Sequence, residues 1–146
     1  MFKLEKANID EVPLLTEISK KAFDSDILVG APEKGGPGEY DNPLWHLKML
    51  KEGHLFSFKE NGSILGGALL WIETNYVYIG RIFIDPIHFR KGHGLKLMEI
   101  IENDFPRKEY QLDTPTWNKR TKAFYLKLGY QIVNIKDDCF FFKKKK

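Results

Sequence analysis

Apolar residues first recur at helical spacing. Val12, Leu15, Ile18 and Ala22, joined by Leu14, predict a helix over Ile9–Phe23, with Asn8 or Asp10 able to cap it and Pro13 in its first turn. The period is then lost from Asp24 to Pro43, a glycine- and proline-rich connection of a length that small domains usually keep for function or leave disordered. Leu44–Lys51 reads as a short second helix, with Asn42 as cap, Pro43 at its first position and Gly53 closing it. From His54 the period changes to two. His54–Lys59 alternates, Asn61-Gly62 is a strong hairpin signal, and Ser63–Glu73 and Tyr76–Ile84 follow as strands joined through Thr74-Asn75. A helix from about Gly92 to Phe105, a short strand Glu109–Thr114 stopped by Pro115, and a helix Asn118–Leu128 closed by Gly129 come next. Tyr130–Ile135 and Cys139–Phe142 end the chain as a hairpin around Lys136–Asp138. This order predicts one mixed α+β domain over residues 1–146, with helices covering a central sheet.

Composition narrows the class without changing that picture. Of 146 residues, 42% are hydrophobic and 29% charged, as in an ordinary globular domain. No apolar run approaches the roughly 20 residues of a membrane helix, and the first dozen residues carry acids where a signal peptide would be apolar. A single cysteine, Cys139, allows no intrachain disulfide and points to a reducing, cytoplasmic setting. No metal site is expected, because the four histidines are scattered. The net charge is +3, but Lys143–Lys146 end the chain, and without those four it falls to −1. The basic excess is therefore expected to be a flexible, solvated tail, which argues against nucleic-acid binding.

One stretch breaks the local rules. In FRKGHGLKLMEIIE, Phe89–Glu102, a helix begins through Arg90-Lys91-Gly92-His93-Gly94, although glycine is a poor helix former and cations oppose the helix dipole there. Gly92 allows a backbone path closed to other residues, and Gly94 is expected to let the first turn approach the sheet. Together they leave bare N–H groups at a helix start, which suits a di-anion such as a pyrophosphate. His93 is expected to be a solvent-facing spacer. The spacing fits neither a Walker loop nor a dinucleotide fingerprint.

The segment Gly80–Glu102 resembles the acetyl-CoA-binding motif of the GNAT family of N-acetyltransferases. That motif is a strand ending apolar-x-apolar, a proline two residues on, then Q/R-x-x-G-x-G/A opening a helix. Ile82-Phe83-Ile84, Pro86 and Phe89–Gly94 stand in those places. A second block, NKRTKAFYLKLGYQIV, resembles the family's downstream signature at Asn118, Ala123, Phe124, Tyr125, Lys127, Gly129 and Tyr130. One position departs from the family. Phe89 stands where the family usually has Gln or Arg, so main-chain donors and Arg90 or Lys91 must carry the phosphate contact.

The resemblance implies a mostly antiparallel sheet of about six to seven strands, flanked by about four helices and splayed between Tyr76–Ile84 and Glu109–Thr114. It implies acetyl-CoA as cofactor, with its pantetheine arm on the main chain of Ile82, Phe83 and Ile84 and its diphosphate at Phe89–Gly94. It further implies direct acetyl transfer to a primary amine. Tyr125 is the expected acid for the departing thiolate. It lies seven residues after Asn118, two turns along one helix face, and Asn118 is expected to cap that helix and touch the pantetheine. YVYIGRIFI carries no carboxylate, so the base falls to Glu73, with Asp113 and His54 as alternatives, or to a relayed water, or to none. Asp24–Asp41 holds five acids against one lysine, so an acidic wall attracting a cationic small-molecule or peptide amine is expected. Trp45 and Trp71 are expected in core packing, with an aromatic subsite as the alternative. A non-catalytic acyl-CoA-binding module of the same fold is the rival reading, and a homodimer is left open.

Overall fold

The structure, a computed structural model, describes residues 1–146. Seven strands form one sheet in the order β1-β2-β3-β4-β5-β7-β6: β1 Phe2–Lys6, β2 Leu55–Glu60, β3 Ser63–Ile72, β4 Tyr76–Ile84, β5 Glu109–Pro115, β6 Gln131–Lys136 and β7 Cys139–Lys145. Helices α1 (Val12–Asp24) and α2 (Pro43–Lys51) cover one face, and α3 (His93–Asp104) and α4 (Lys119–Lys127) the other. The α+β architecture expected from the pattern is the one observed. No helix is long and apolar enough to cross a membrane.

Each face has its own core, and the sequence periods assign residues to it. Val12, Leu15, Ile18 and Ala22 of α1 meet Met49 of α2, Leu69 and Phe83 on one side. Leu97, Met98 and Ile101 of α3 meet Phe56, Phe58, Leu70, Val77 and Ile79 on the other, and Tyr125, Tyr130 and Phe142 extend this second core under α4. Gly66 in β3 is demanded by packing, since a Cβ there would lie 2.0 Å from the Phe83 carbonyl oxygen.

Two differences from the sequence reading lie at the chain ends. β1 was not anticipated; it pairs antiparallel with β2, and of its residues only Leu4 is fully buried, so its alternation is weak. The C-terminal lysines are not a loose tail. Lys143–Lys145 continue β7, pairing with β5 as far as Glu109. Lys144 and Lys146 each place Nζ 2.9 Å from Glu102, which also accepts the Tyr130 hydroxyl at 2.9 Å. A buried carboxylate on α3 thus recruits the lysines, ties the last strand to the helix, and turns a run of like charges into a paired edge.

Sheet irregularity on β4 creates the site. β3 and β4 pair regularly except that Leu69 opposes Arg81 and Leu70 opposes Ile79, which leaves Gly80 as a bulge. Before the bulge Val77 and Ile79 face the α3 core; after it Ile84 faces that core and Phe83 the α1 core. On its other edge β4 runs parallel to β5 for three pairs only, Tyr76–Tyr78 against Glu109–Gln111. Beyond Tyr78 the strands diverge while β5 stays paired to β7 through Pro115. The sheet therefore opens as a fork whose left wall is Ile79–Ile84.

Candidate active site

Three pieces converge on the fork. The first is its β4 wall. Ile82, Phe83 and Ile84 pair with Ala68, Gly67 and Gly66 on the closed side, and alternate peptides present N–H and C=O to the open side. Such groups require partners, and an extended chain carrying amides is the natural one.

The second is the start of α3, where the chain leaves β4 through Asp85. The Asp85 side chain accepts the Ile87 N–H at 3.2 Å and holds a 3₁₀ turn over Pro86–His88. Phe89 turns inward and packs against the core, so it offers no polar contact. Arg90 and Gly92 then adopt left-handed backbone, φ 65° and 75°. Lys96 is the first residue of the turn whose N–H reaches a carbonyl behind it, that of Gly92 at 3.1 Å; no N–H from Arg90 to Leu95 does so. Arg90 and Lys91 lie exposed beside these donors. A helix start with its donors free and two cations alongside can hold a diphosphate.

Two expectations about this turn are corrected. His93 is buried, 8% exposed, with its ring edge-on to Phe2 at 5.6 Å and His88 at 5.9 Å; it anchors the turn to the sheet instead of facing solvent. Gly94 is not needed for close packing on the sheet. A Cβ there would meet the Phe124 ring at 3.6 Å, an ordinary contact, and what it faces is α4.

The third piece is α4. Asn118 caps it by accepting the Thr121 N–H at 3.1 Å and is itself buried. Tyr125 is 6% exposed, with its ring against Tyr130 and Phe142 at 5.8 Å each. No protein group hydrogen-bonds its hydroxyl, and burial raises its pKa well above the ordinary tyrosine value. It stays protonated at neutral pH and can donate.

On the α1–α2 side a cleft of about 370 Å³ opens over the bulge. Gly80, Arg81, Tyr78 and Tyr76 of β4, Trp71 of β3, Glu73 of the following turn and Trp45 of α2 line it, with the Arg81 guanidinium over the Trp45 ring. The glycine is obligatory, because a Cβ at position 80 would lie 2.5 Å from the Trp71 ring. The Tyr78 hydroxyl donates to Asp113, which sits two residues past the last β4–β5 pair, at the opening of the fork. Burial, then that bond, pushes the Tyr78 pKa far up.

Trp45 and Trp71 pack against the α1 core, as expected, and also line the cleft. Two further differences emerge. No acid of Asp24–Asp41 lines it. Asp24 is held by Lys20 at 2.6 Å and the Tyr40 hydroxyl at 2.7 Å, and Glu39 accepts from Asn42 at 2.5 Å. Glu73 lines the cleft from the turn after β3, its N–H bonded to the Tyr76 carbonyl. Tyr78, Gly80 and Arg81 went unremarked in the sequence, yet a Gly-Arg pair inside an otherwise apolar strand is a bulge signal.

Residues 17–130 match the model of the acetyltransferase (GNAT) family. The chain belongs to this family. Similar solved structures share its whole length. The PaiA N-acetyltransferase of Thermoplasma acidophilum in complex with coenzyme A superposes with TM-score 0.80 at 17% identity, covering 100% of this chain and 99% of that one. A GNAT-family acetyltransferase of Streptococcus agalactiae gives 0.85 at 17% identity, with 99% and 95% covered. The ribosomal-protein-S18-alanine N-acetyltransferase of Escherichia coli gives 0.74 at 14% identity, with 99% and 94% covered. No curated protein matches the chain. As a GNAT acetyltransferase the chain uses acetyl-CoA. The free donors of Arg90–Leu95 and the unpaired wall Ile79–Ile84 fit that group.

Proposed function

We propose that the chain is an N-acetyltransferase that moves the acetyl group of acetyl-CoA directly to a primary amine bound in the aromatic cleft. The observation that carries this reading is the meeting of cleft and fork at Gly80. Gly80 and Arg81 belong both to the unpaired wall of β4 and to the lining of the cleft, so a group lying along β4 and a group lying in the cleft can meet there.

Acetyl-CoA, when bound, supplies an acetyl thioester. The amides of Arg90–Leu95, with Arg90 and Lys91, hold its diphosphate, and the main chain of Ile82, Phe83 and Ile84 holds its pantetheine arm. Asn118 fixes the start of α4 and thereby Tyr125. The protonated Tyr125 hydroxyl would serve as the proton donor to the leaving thiolate; a thiol pKa near ~8.5 asks only for a modest acid.

Deprotonating the amine falls first to the Tyr78–Asp113 pair, a hydroxyl bonded to a carboxylate at the opening of the fork. The Tyr78 oxygen can accept an ammonium N–H while its own proton passes to Asp113. Glu73, on the turn after β3, lines the same cleft and is the alternative base.

The absence of a carboxylate on β4 favours the second reading, an acyl-CoA-binding module without turnover. Thiol release from acetyl-CoA across a panel of amines separates the two. Amine-dependent release is expected; a rise in melting temperature with acetyl-CoA and no release with any amine would support the module.

A further inference from the structure

The cleft contains a cation that no carboxylate touches. Arg81 follows the bulged Gly80 and lines the cleft. Its guanidinium stacks over Trp45, 4.5 Å from the ring centroid, and donates one hydrogen bond, to the Gly38 carbonyl. Nη1 is enclosed and has no acceptor. No carboxylate lies within ion-pair distance. Asp24 is taken by Lys20 and Tyr40, and Glu39, next to Gly38, bonds Asn42 and acts on Arg81 only through space, without an ion-pair contact.

A guanidinium has five N–H donors, and this one uses a single donor inside the protein. Clipping the loop at Gly38 needs no more than that. A charge held partly out of water with no partner is costly, and the cost is removed when a ligand brings the opposite charge. Trp45 and Gly38 fix the guanidinium plane in advance, so little freedom remains to be lost on binding.

We propose that Arg81 binds a carboxylate of the acceptor, and that the acceptor is an α-amino acid or a similar amine with its carboxylate one or two carbons from the nitrogen. Arg81 is the residue next to Gly80, where the transferase reading puts the reacting nitrogen, so an acceptor that carries its carboxylate close to its amine fits both. The remainder of the acceptor, apolar or aromatic, runs outward over Trp71, Tyr78 and Tyr76. This rests on the transferase reading for the position of the nitrogen.

The test uses matched products that differ only in the carboxylate: N-acetyltryptophan against N-acetyltryptamine, titrated calorimetrically into the coenzyme A complex. A charge-assisted pair of hydrogen bonds predicts that the carboxylate member binds about 10- to 100-fold more tightly. In Arg81→Gln the ratio falls toward one, and in Arg81→Lys part of it returns. A rise in the melting temperature of Arg81→Gln with coenzyme A shows that the variant is folded. Equal affinity for the two products, no binding of either, or a ratio that survives in Arg81→Gln overturns the proposal. Thiol release with tryptophan and tryptamine is read separately. Arg81-dependent product binding without turnover of any amine upholds the carboxylate site and counts against catalysis; turnover of both amines at equal kcat/KM counts against the carboxylate site alone.

Discussion

Replacing Tyr125 by phenylalanine separates chemistry from architecture more cleanly than any other change at this site. The ring does the packing: it lies 5.1 Å from Phe124 and 5.8 Å from both Tyr130 and Phe142, and a phenylalanine ring in its place keeps all three contacts. The hydroxyl makes no hydrogen bond within the protein, so its removal breaks none. Removing a hydroxyl that has no protein partner should leave folding stability nearly unchanged, within about 1 kcal/mol. For a chain of this size that is a change in Tm of no more than about 4 °C. Turnover should behave differently. A positioned general acid typically contributes 10²- to 10⁴-fold, and a thiolate leaving group places the effect near the low end, so kcat should fall about 100-fold, roughly 2.7 kcal/mol in the barrier. The affinity for coenzyme A should stay within about threefold, because the diphosphate contacts lie on α3. Thiol release followed continuously, with a melting curve and a coenzyme A titration on the same preparation, reads all three. Because burial raises this pKa in the folded chain, the tyrosine should add nothing to pH dependence at neutral pH. Its contribution to stability is complete below pH ~10 and is lost as pH rises above that value, where the unfolded chain gives up the proton first. Wild-type kcat in Tyr125→Phe, or a Tm drop beyond about 5 °C, would refute the reasoning.

Three other changes test neighbouring parts of the account. Gly80→Ala puts a methyl group 2.5 Å from the Trp71 ring, so it should displace that ring, raise KM for the amine at least tenfold and leave coenzyme A affinity within a few-fold; unchanged KM in steady-state kinetics would remove the bulge from the acceptor site. Gly92→Ala meets no atom within 4 Å but must hold φ near 75°, a strain of about 1–2 kcal/mol, so a Tm lower by about 3–8 °C together with weaker coenzyme A binding is expected, and titration calorimetry with unaltered affinity would detach the turn from the phosphate. Burial alone would push the Glu102 carboxyl up, but hydrogen bonds from Lys146, Lys144 and Tyr130 outweigh it and hold the pKa below the usual range. Its stabilising effect is therefore full above the unfolded value near ~4.3 and is lost as pH falls through the lower folded value. Glu102→Gln should lower Tm at pH 7 and narrow the gap to wild type on acidification, and a gap that stays constant in melting curves from pH 7 to 3 would contradict this.

Much of the fold was readable because its strongest signals are periodic and local. The boundaries of Tyr76–Ile84 came out as observed, and Asn118 and Gly129 punctuate α4 as their residue types require. Phe2–Lys6 escaped because a five-residue edge strand with one fully buried side chain carries almost no periodic signal. Lys143–Lys145 were misread because composition describes charge but not partner. Glu102, some 40 residues earlier in the chain, makes those lysines part of a strand. The phosphate turn was legible in Gly92-His93-Gly94, although His93 turned inward for a reason held in Phe2 and Phe58, far away in sequence. The aromatic cleft was the least legible part. Its residues come from α2, β3, β4 and the turn after β3, and only the bulge at Gly80 brings Tyr78 and Arg81 to one face.

The central claim is that the unpaired wall of β4 and the open start of α3 hold the coenzyme. Amide chemical shifts recorded as coenzyme A is added test it residue by residue. The account predicts the largest changes at Arg90–Leu95, followed by Ile79–Ile84, with β1, β2 and β6 nearly still. Large shifts confined to other parts of the sheet, with the Arg90–Leu95 amides unmoved at saturation, would contradict it.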